Sequence, residues 1–232
     1  MSNASYQERR GQIENYFDRT AVSAWEKLTS DAPVGRIRAT VRAGRDRMRA
    51  TLLSWLGEDL RGKRILDAGC GTGALAVEAA RRGAEVVAID LSPTLINLAR
   101  TRIPADLAHL VQFHSGDMLD PALGRFHHVV AMDSIIHYQT EDAVHALAQL
   151  ADRTSDSIVF TFAPRTPFLA AMISVGRLFP RSDRAPWLEP MAETRIARLM
   201  EAHGALNDWQ CARTQRVSSG FYKSQAMEWL RP

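Results

Sequence analysis

The sequence predicts an α/β protein: a mainly parallel, seven-stranded sheet with helices on both faces, preceded by an N-terminal helical arm. Three observations carry this. From residue 63 to residue 162, short apolar runs of strand length alternate with helical stretches, the order that builds a parallel sheet. A glycine-rich turn, Asp67-Ala68-Gly69-Cys70-Gly71-Thr72-Gly73, joins the first strand to the helix after it. Two further strand-like runs, near 206–216 and 219–229, close the chain.

The elements follow in order. Residues 5–30 read as helix, with Tyr6, Ile13, Tyr16, Phe17, Ala21, Trp25 and Leu28 near one side, and Pro33 breaks the pattern. A second helix is expected over 34–56, where Val34, Ile37, Val41, Met48 and Leu52 have helical spacing. Its Arg38, Arg42, Arg45 and Arg49 are separated by four, three and four residues and share one face. Arg64 to Asp67 is a strand, and Ala74 to Arg82 a helix closed by Gly83. Glu85 to Asp90 is a buried strand; Ser92 then caps a helix with Pro93 at its first position, running to about Arg102. Strands are expected at His109 to His114, Phe126 to Met132 and Ser157 to Phe162, with a helix from Glu141 to Asp152 before the last of them. After an irregular stretch from Pro164 to Pro190, a helix spans about Ala192 to His203. The division that results is an arm or lid over 1–60 and a core over 61–232, with 164–190 as a substrate-side insertion.

Composition bounds the function. A chain of 232 residues, 46% hydrophobic and 24% charged, suits one soluble α/β domain with a modest extra element. Cys70 and Cys211 lie far apart and form no pair motif, so a reducing compartment fits. Met1 to Arg10 is polar, without the apolar centre of a secretory signal, and cytoplasmic residence is expected. The longest apolar run, Phe168 to Phe179, is shorter than the roughly 20 residues that span a bilayer. A net charge of +3 with a pI of 9.1 suits an anionic small ligand, an acidic partner or a membrane surface, and does not by itself indicate nucleic acid.

In open α/β sheets, ligands bind at the carboxyl ends of the strands, and four such ends carry suitable groups. At the first, glycines let the backbone approach a ligand and the next helix offers free N–H groups; Asp67, Gly69, Cys70, Gly71 and Gly73 are the candidate residues. At the second, Asp90 can accept two ribose hydroxyls, with Leu91 and Ser92 beside it. At the third, Asp117 is placed to accept from an adenine amine, with Met118 beside it. At the fourth, Met132 and Asp133 lead into Ser134-Ile135-Ile136-His137-Tyr138 at the mouth of the site. The rival reading is a dinucleotide-binding domain, since Gly69, Gly71 and Ala74 satisfy G-x-G-x-x-G/A. An acidic residue two places before the first glycine, a third glycine at +2 from the second and the acceptor after strand three weigh against it. No second domain to hold a hydride acceptor is expected.

With these residues in view, 63–162 resembles a class I S-adenosylmethionine-dependent methyltransferase. The flanks resemble one member family, the magnesium-protoporphyrin IX O-methyltransferases. The segments that carry this are Tyr16-Phe17-Asp18-Arg19-Thr20-Ala21 with Trp25, Val41 to Asp46, Val130 to Tyr138, Phe160 to Pro164, Leu178 to Arg184 and Gly220 to Ser224. The resemblance covers nearly the whole chain. The glycine turn is specific only to the superfamily; the flanks point to the porphyrin family.

The resemblance implies methyl transfer from S-adenosylmethionine, leaving S-adenosylhomocysteine, to one propionate of Mg-protoporphyrin IX, with magnesium present only as part of that substrate. It also implies an arm that closes over the cofactor, Tyr16 and His137 as the catalytic residues, and a partnership with the porphyrin-binding subunit of magnesium chelatase. Peripheral contact with the photosynthetic membrane and no nucleic-acid partner complete it. A propionate is already ionised at pH 7, like a Glu side chain with pKa near 4.3, so His137 is expected to position the carboxylate rather than act as a base. Contact between His137 and the porphyrin magnesium is the lesser expectation, because Mg²⁺ prefers oxygen.

Bland readings stand beside these. Tyr16 and Trp25 lie on an apolar helical stripe that suits core packing. The arginine face at 38, 42, 45 and 49 reads first as a solvated surface, and otherwise as contacts to the cofactor carboxylate or a porphyrin propionate. The segment Phe168 to Leu188, with Arg177, Arg181 and Arg184, suits a lid over a porphyrin, a surface helix or a membrane contact. Other acceptors, such as a quinone precursor, remain alternatives.

Overall fold

A computed structural model describes residues 4–19, 35–166 and 188–232. Trp25, the continuation of the first helix beyond Arg19, the apolar run Phe168 to Phe179 and most of the insertion lie outside these residues. Helix α1 spans Ala4–Arg19 and α2 spans Arg36–Leu56. Then come β1 (Arg64–Ala68), α3 (Ala74–Arg81), β2 (Glu85–Asp90), α4 (Pro93–Arg102), β3 (Val111–Ser115) and β4 (Phe126–Ala131). The chain ends with α5 (Thr140–Ala151), β5 (Thr154–Phe162), α6 (Glu193–Glu201), β6 (Gln210–Ser219) and β7 (Tyr222–Leu230).

The seven strands lie in the order β3-β2-β1-β4-β5-β7-β6. The first five are parallel; β7 runs antiparallel to both its neighbours. The expected seven-stranded, mainly parallel sheet is therefore present. The central strands β1, β2, β4 and β5 are buried on both faces, so their successive residues supply opposite cores. Leu66, Val87, Val129, Ile158 and Phe160 enter one core with α5 and α6. Ile65, Val86, Val130 and Val159 enter the other with α2, α3 and α4. This accounts for continuous apolar runs in place of an alternating pattern.

The arm expected over 1–60 divides in two. Helix α2 packs Met48, Leu52, Leu53 and Leu56 into the second core, so it is built into the domain. Helix α1 instead lies over the strand ends, with Tyr6 and Ile13 in the first core and Phe17 packed against it. The Ser92 cap is as expected: its Oγ accepts the Leu95 N–H at 3.2 Å. The strand order reverses between β2-β1 and β4-β5, which opens a crevice above the carboxyl ends of β1 and β4. The glycine turn and Asp133 stand at those two ends. Near the start of β4, His128 is held by Ser157 Oγ, 2.7 Å from Nδ1.

Candidate active site

The glycine turn is tied to the end of β2. The N–H groups of Gly69 and Cys70 both donate to the Ile89 carbonyl, at 2.8 and 2.9 Å. The Gly71 N–H donates to Asp90 Oδ2 at 2.8 Å, and the Ser92 N–H to Asp90 Oδ1 at 3.0 Å. Gly69 has φ +85, and a Cβ there would sit 2.3 Å from Ser134 Cβ. Only glycine lets β1's exit pass this close to β4's exit.

Asp67 is buried beneath the turn. Burial and the charge of Asp90 push its carboxyl up to about 7, opposed by a hydrogen bond from the Ala76 N–H. Its Oδ2 has no hydrogen-bond partner among the described residues. Burial also pushes Asp90 up, against the pull of backbone N–H groups from Ser92, Gly71 and Leu91. A buried carboxylate oxygen lacking a donor, beside a second carboxylate, is suited to a ligand that brings cationic or hydroxyl groups.

Helix α1 crosses the carboxyl ends of the strands and is fastened along its length. Ser5 Oγ donates to Asp142, Tyr6 Oη and Arg10 to Asp117, and Arg9 to Glu189. Near its end, Asp18 Oδ1 accepts from Ser92 Oγ at 3.0 Å and Thr94 Oγ1 at 2.7 Å. Tyr6 stacks on Tyr138, ring centroids 4.8 Å apart. Phe17 stands edge-on to Tyr16 at 5.3 Å and to His137 at 6.0 Å. One aromatic contact chain thus joins the two expected catalytic residues. Tyr16 is half-buried, which raises its hydroxyl pKa; His137 is buried in a 3-10 turn, Ile135–His137.

Asp133 is the most connected carboxylate of the site. Arg45 Nη1 donates to its Oδ2 at 2.5 Å, and Tyr222 Oη to both oxygens at 3.1 Å. Thr161 Oγ1 donates to Oδ1 while accepting the Asp133 N–H, and Ser224 Oγ lies 3.4 Å from Oδ1. A cavity of about 640 Å³ lies among these elements, a size that suits a small-molecule site.

The structure brings most of the expected residues into this cavity's wall: Tyr16, Asp67, Gly69, Cys70, Gly71, Asp90, Leu91, Met118, Met132, Asp133 and His137. Three differ. Asp117 lies outside the wall between Gly116 and Met118, because its carboxylate is taken by Tyr6 and Arg10. Gly73 caps α3 at φ +79 and faces the Phe113 ring, where a Cβ would approach to 3.0 Å. Ser92 is fully buried as the cap of α4. Asp133 lines the cavity with its carboxylate engaged by protein donors. The arginine face is corrected in the other direction: Arg38, Arg42, Arg45 and Arg49 all line the cavity. Sequence reasoning missed Thr161 as the partner of Asp133. Its signal was a lone hydroxyl in the buried run Ile158 to Phe162.

With this geometry in place, comparison with known proteins is informative. Residues 131–231 match the family model described as magnesium-protoporphyrin IX methyltransferase C-terminus, and 65–156 match a methyltransferase domain. The magnesium-protoporphyrin O-methyltransferase of Rhodobacter capsulatus is 50% identical over 227 residues, covering 97% of this chain and 98% of the relative. That of Synechocystis sp. (strain ATCC 27184 / PCC 6803 / Kazusa) is 28% identical over 235 residues, covering both chains completely. The crystal structure of magnesium protoporphyrin IX methyltransferase from Synechocystis PCC 6803 with bound S-adenosylhomocysteine matches with a TM-score of 0.84 at 27% identity. That match covers 96% of this chain and 100% of the other.

Proposed function

The chain belongs to the magnesium-protoporphyrin O-methyltransferase family, and from that premise we propose how its cavity carries out the family's reaction. The reaction is methyl transfer from S-adenosylmethionine to magnesium-protoporphyrin IX, in chlorophyll or bacteriochlorophyll synthesis. Protoporphyrin has oxygen only in its two propionates, so an O-methyl transfer to it makes a propionate ester. One observation carries the local assignment: a single cavity joins the glycine turn and Asp67 to His137, Tyr16 and the basic face of α2.

The residues of the turn fit the cofactor. Gly69 and Gly71, at φ +85 and +55, leave the backbone bare for close approach. Asp67 Oδ2 has no donor among the described residues and complements a cationic group, and Asp90, at the carboxyl end of β2, lines the same cavity and accepts hydroxyls. When bound, S-adenosylmethionine would supply a methyl carbon on a sulfonium sulfur: the propionate oxygen bonds to that carbon as its bond to sulfur breaks, and the electron pair leaves with sulfur as neutral S-adenosylhomocysteine. No proton needs to move, because the propionate is already ionised at pH 7. Charge disappears as the bond forms, so a site screened from water favours the step. What remains for the protein is orientation, which can contribute roughly 7–11 kcal/mol.

In this reading His137 donates a ring N–H that fixes the reacting carboxylate. Its burial in the wall beside Phe17 supports that role. Tyr16 borders the same space from α1, and with its pKa raised by burial it is a neutral hydrogen-bond donor at pH 7. Cytoplasmic residence at the surface of the photosynthetic membrane, and delivery of the porphyrin by the porphyrin-binding chelatase subunit, extend the reading. The exposed Ile37 and Phe221 beside the basic rim support a contact of that kind. No helix among the described residues is long and apolar enough to cross a membrane.

Single-turnover methylation with labelled S-adenosylmethionine tests the whole reading. Label is expected in the monomethyl ester of Mg-protoporphyrin IX. Label transfer to a quinone precursor and none to the porphyrin would overturn the acceptor.

A further inference from the structure

On one face of α2, Arg45 pairs with Asp133 and Arg49 with Asp46. Arg38 and Arg42 line the cavity one helical turn apart, on the part of α2 that meets the β6–β7 hairpin. Lys223 lines it from the β6–β7 hairpin, with Nζ donating to Ser218 Oγ. The large hydrophobic side chains left exposed among the described residues adjoin these cations. Ile37 is 60% exposed and precedes Arg38; Phe221 is 48% exposed and lies two residues before Lys223. Helix and hairpin form one rim, because Gly220 packs on Thr40 and Gly44 on Tyr222.

A rim of cations around exposed apolar side chains complements a flat, apolar anion. The substrate assigned above carries two propionates. One loses its charge on methylation; the other remains ionised throughout. The cavity wall also holds Asp46, Asp67, Asp90 and Asp133, so a second carboxylate entering it needs cations beside it. The geometry points to Arg38 and Arg42 as the binding site for the propionate that is not methylated, with Phe221 supporting the macrocycle and Lys223 at the edge. This rests on the porphyrin reading and goes beyond it. A guanidinium fork grips a carboxylate in fixed geometry. Gripping one propionate decides which of the two reaches the methyl group. It also limits the reaction to one ester: to react a second time the product must turn, placing an uncharged ester against two guanidiniums.

The test titrates Mg-protoporphyrin IX and its dimethyl ester into the wild-type chain and into the Arg38→Ala, Arg42→Ala double variant, following fluorescence quenching. The wild type is expected to prefer the diacid. The double variant is expected to lose roughly tenfold or more in diacid affinity, to bind the two porphyrins alike, and to yield both monoesters and some diester on chromatography. Arg38→Lys, Arg42→Lys is expected to restore part of the preference. S-adenosylhomocysteine affinity by calorimetry is expected to stay unchanged, which also reports an intact fold. An unchanged diacid preference with a single monoester product overturns the site. So does a selective loss of S-adenosylhomocysteine affinity, which would move the arginines to the cofactor carboxylate. A wild-type chain that neither binds nor methylates Mg-protoporphyrin IX is a separate result: it overturns the substrate reading, and this site with it.

Discussion

Arg45 and Asp133 form an ion pair, 2.5 Å from Nη1 to Oδ2, that fastens helix α2 to the carboxyl end of β4. Only 5% of the Asp133 side chain and 19% of the Arg45 side chain are exposed. Asp133 also sits at φ +54, the positive-φ residue other than glycine among those described. It directly precedes the loop that carries His137.

Removing one partner of such a pair strands the other. Asp133→Ala leaves Arg45 and the Tyr222 hydroxyl without their shared acceptor, and is expected to cost about 3–5 kcal/mol. Asp133→Asn keeps an acceptor oxygen and tolerates the left-handed backbone, so its cost is expected to be smaller. Urea unfolding at pH 7 ranks the two. Equal losses would assign the effect to side-chain volume in place of charge.

Two glycines in helices are expected to respond with opposite signs. A Cβ on Gly44 would lie 2.5 Å from Tyr222 Cδ1, in a packed interface that cannot yield cheaply. Gly44→Ala is expected to lose about 1–3 kcal/mol. Gly11, within α1, has nothing within 4 Å of its Cβ position, so Gly11→Ala is expected to gain about 0.5–1 kcal/mol. Urea midpoints of the two variants, measured in parallel, check both signs.

Asp67 makes stability depend on pH. Burial, reinforced by the charge of Asp90, raises its carboxyl from 3.8 to about 7. The native state therefore holds the proton more tightly than the unfolded chain does. The stability this contributes is complete below about pH 4 and is lost as pH rises through about 7. S-adenosylmethionine carries positive charge and favours the ionised carboxylate, so its stabilising increment is expected to grow over the same interval. Melting temperatures near pH 6 and pH 8, with and without cofactor, read both slopes. Asp67→Asn is expected to flatten them; a persisting pH-dependent increment in that variant would remove Asp67 from cofactor recognition.

The succession of strands and helices and the turn were legible in the sequence because both depend on neighbours in the chain. Ser92 next to Pro93 states its own cap, and Asp67 to Gly73 states its own turn. The ties that shape the site join distant residues: Asp133 meets Arg45, Thr161, Tyr222 and Ser224, and Asp117 meets Tyr6 and Arg10. No local pattern announces such pairings. The same limit explains the arginine face. Spacing shows that four arginines share a side of α2, but only the packing of α2 beside the strand ends shows that this side borders a cavity.

Tyr16 and His137 both contact Phe17, and substitution can separate chemistry from packing there. His137→Phe keeps a ring against Phe17 in a site that is only 6% exposed, so the wall stays filled while the N–H donor is lost. Losing one positioned donor costs on the order of a hundredfold in rate where it acts on developing or vanishing charge. The single-turnover rate is expected to fall by about that factor, with S-adenosylhomocysteine affinity retained. Tyr16→Phe likewise preserves the edge contact at 5.3 Å and removes only the hydroxyl, and a slower rate with an unchanged unfolding midpoint is expected. If either variant loses stability in proportion to rate, that residue is a packing element. If both keep full rate, the carboxylate is oriented by other groups, and the arginines of α2 are the first to examine.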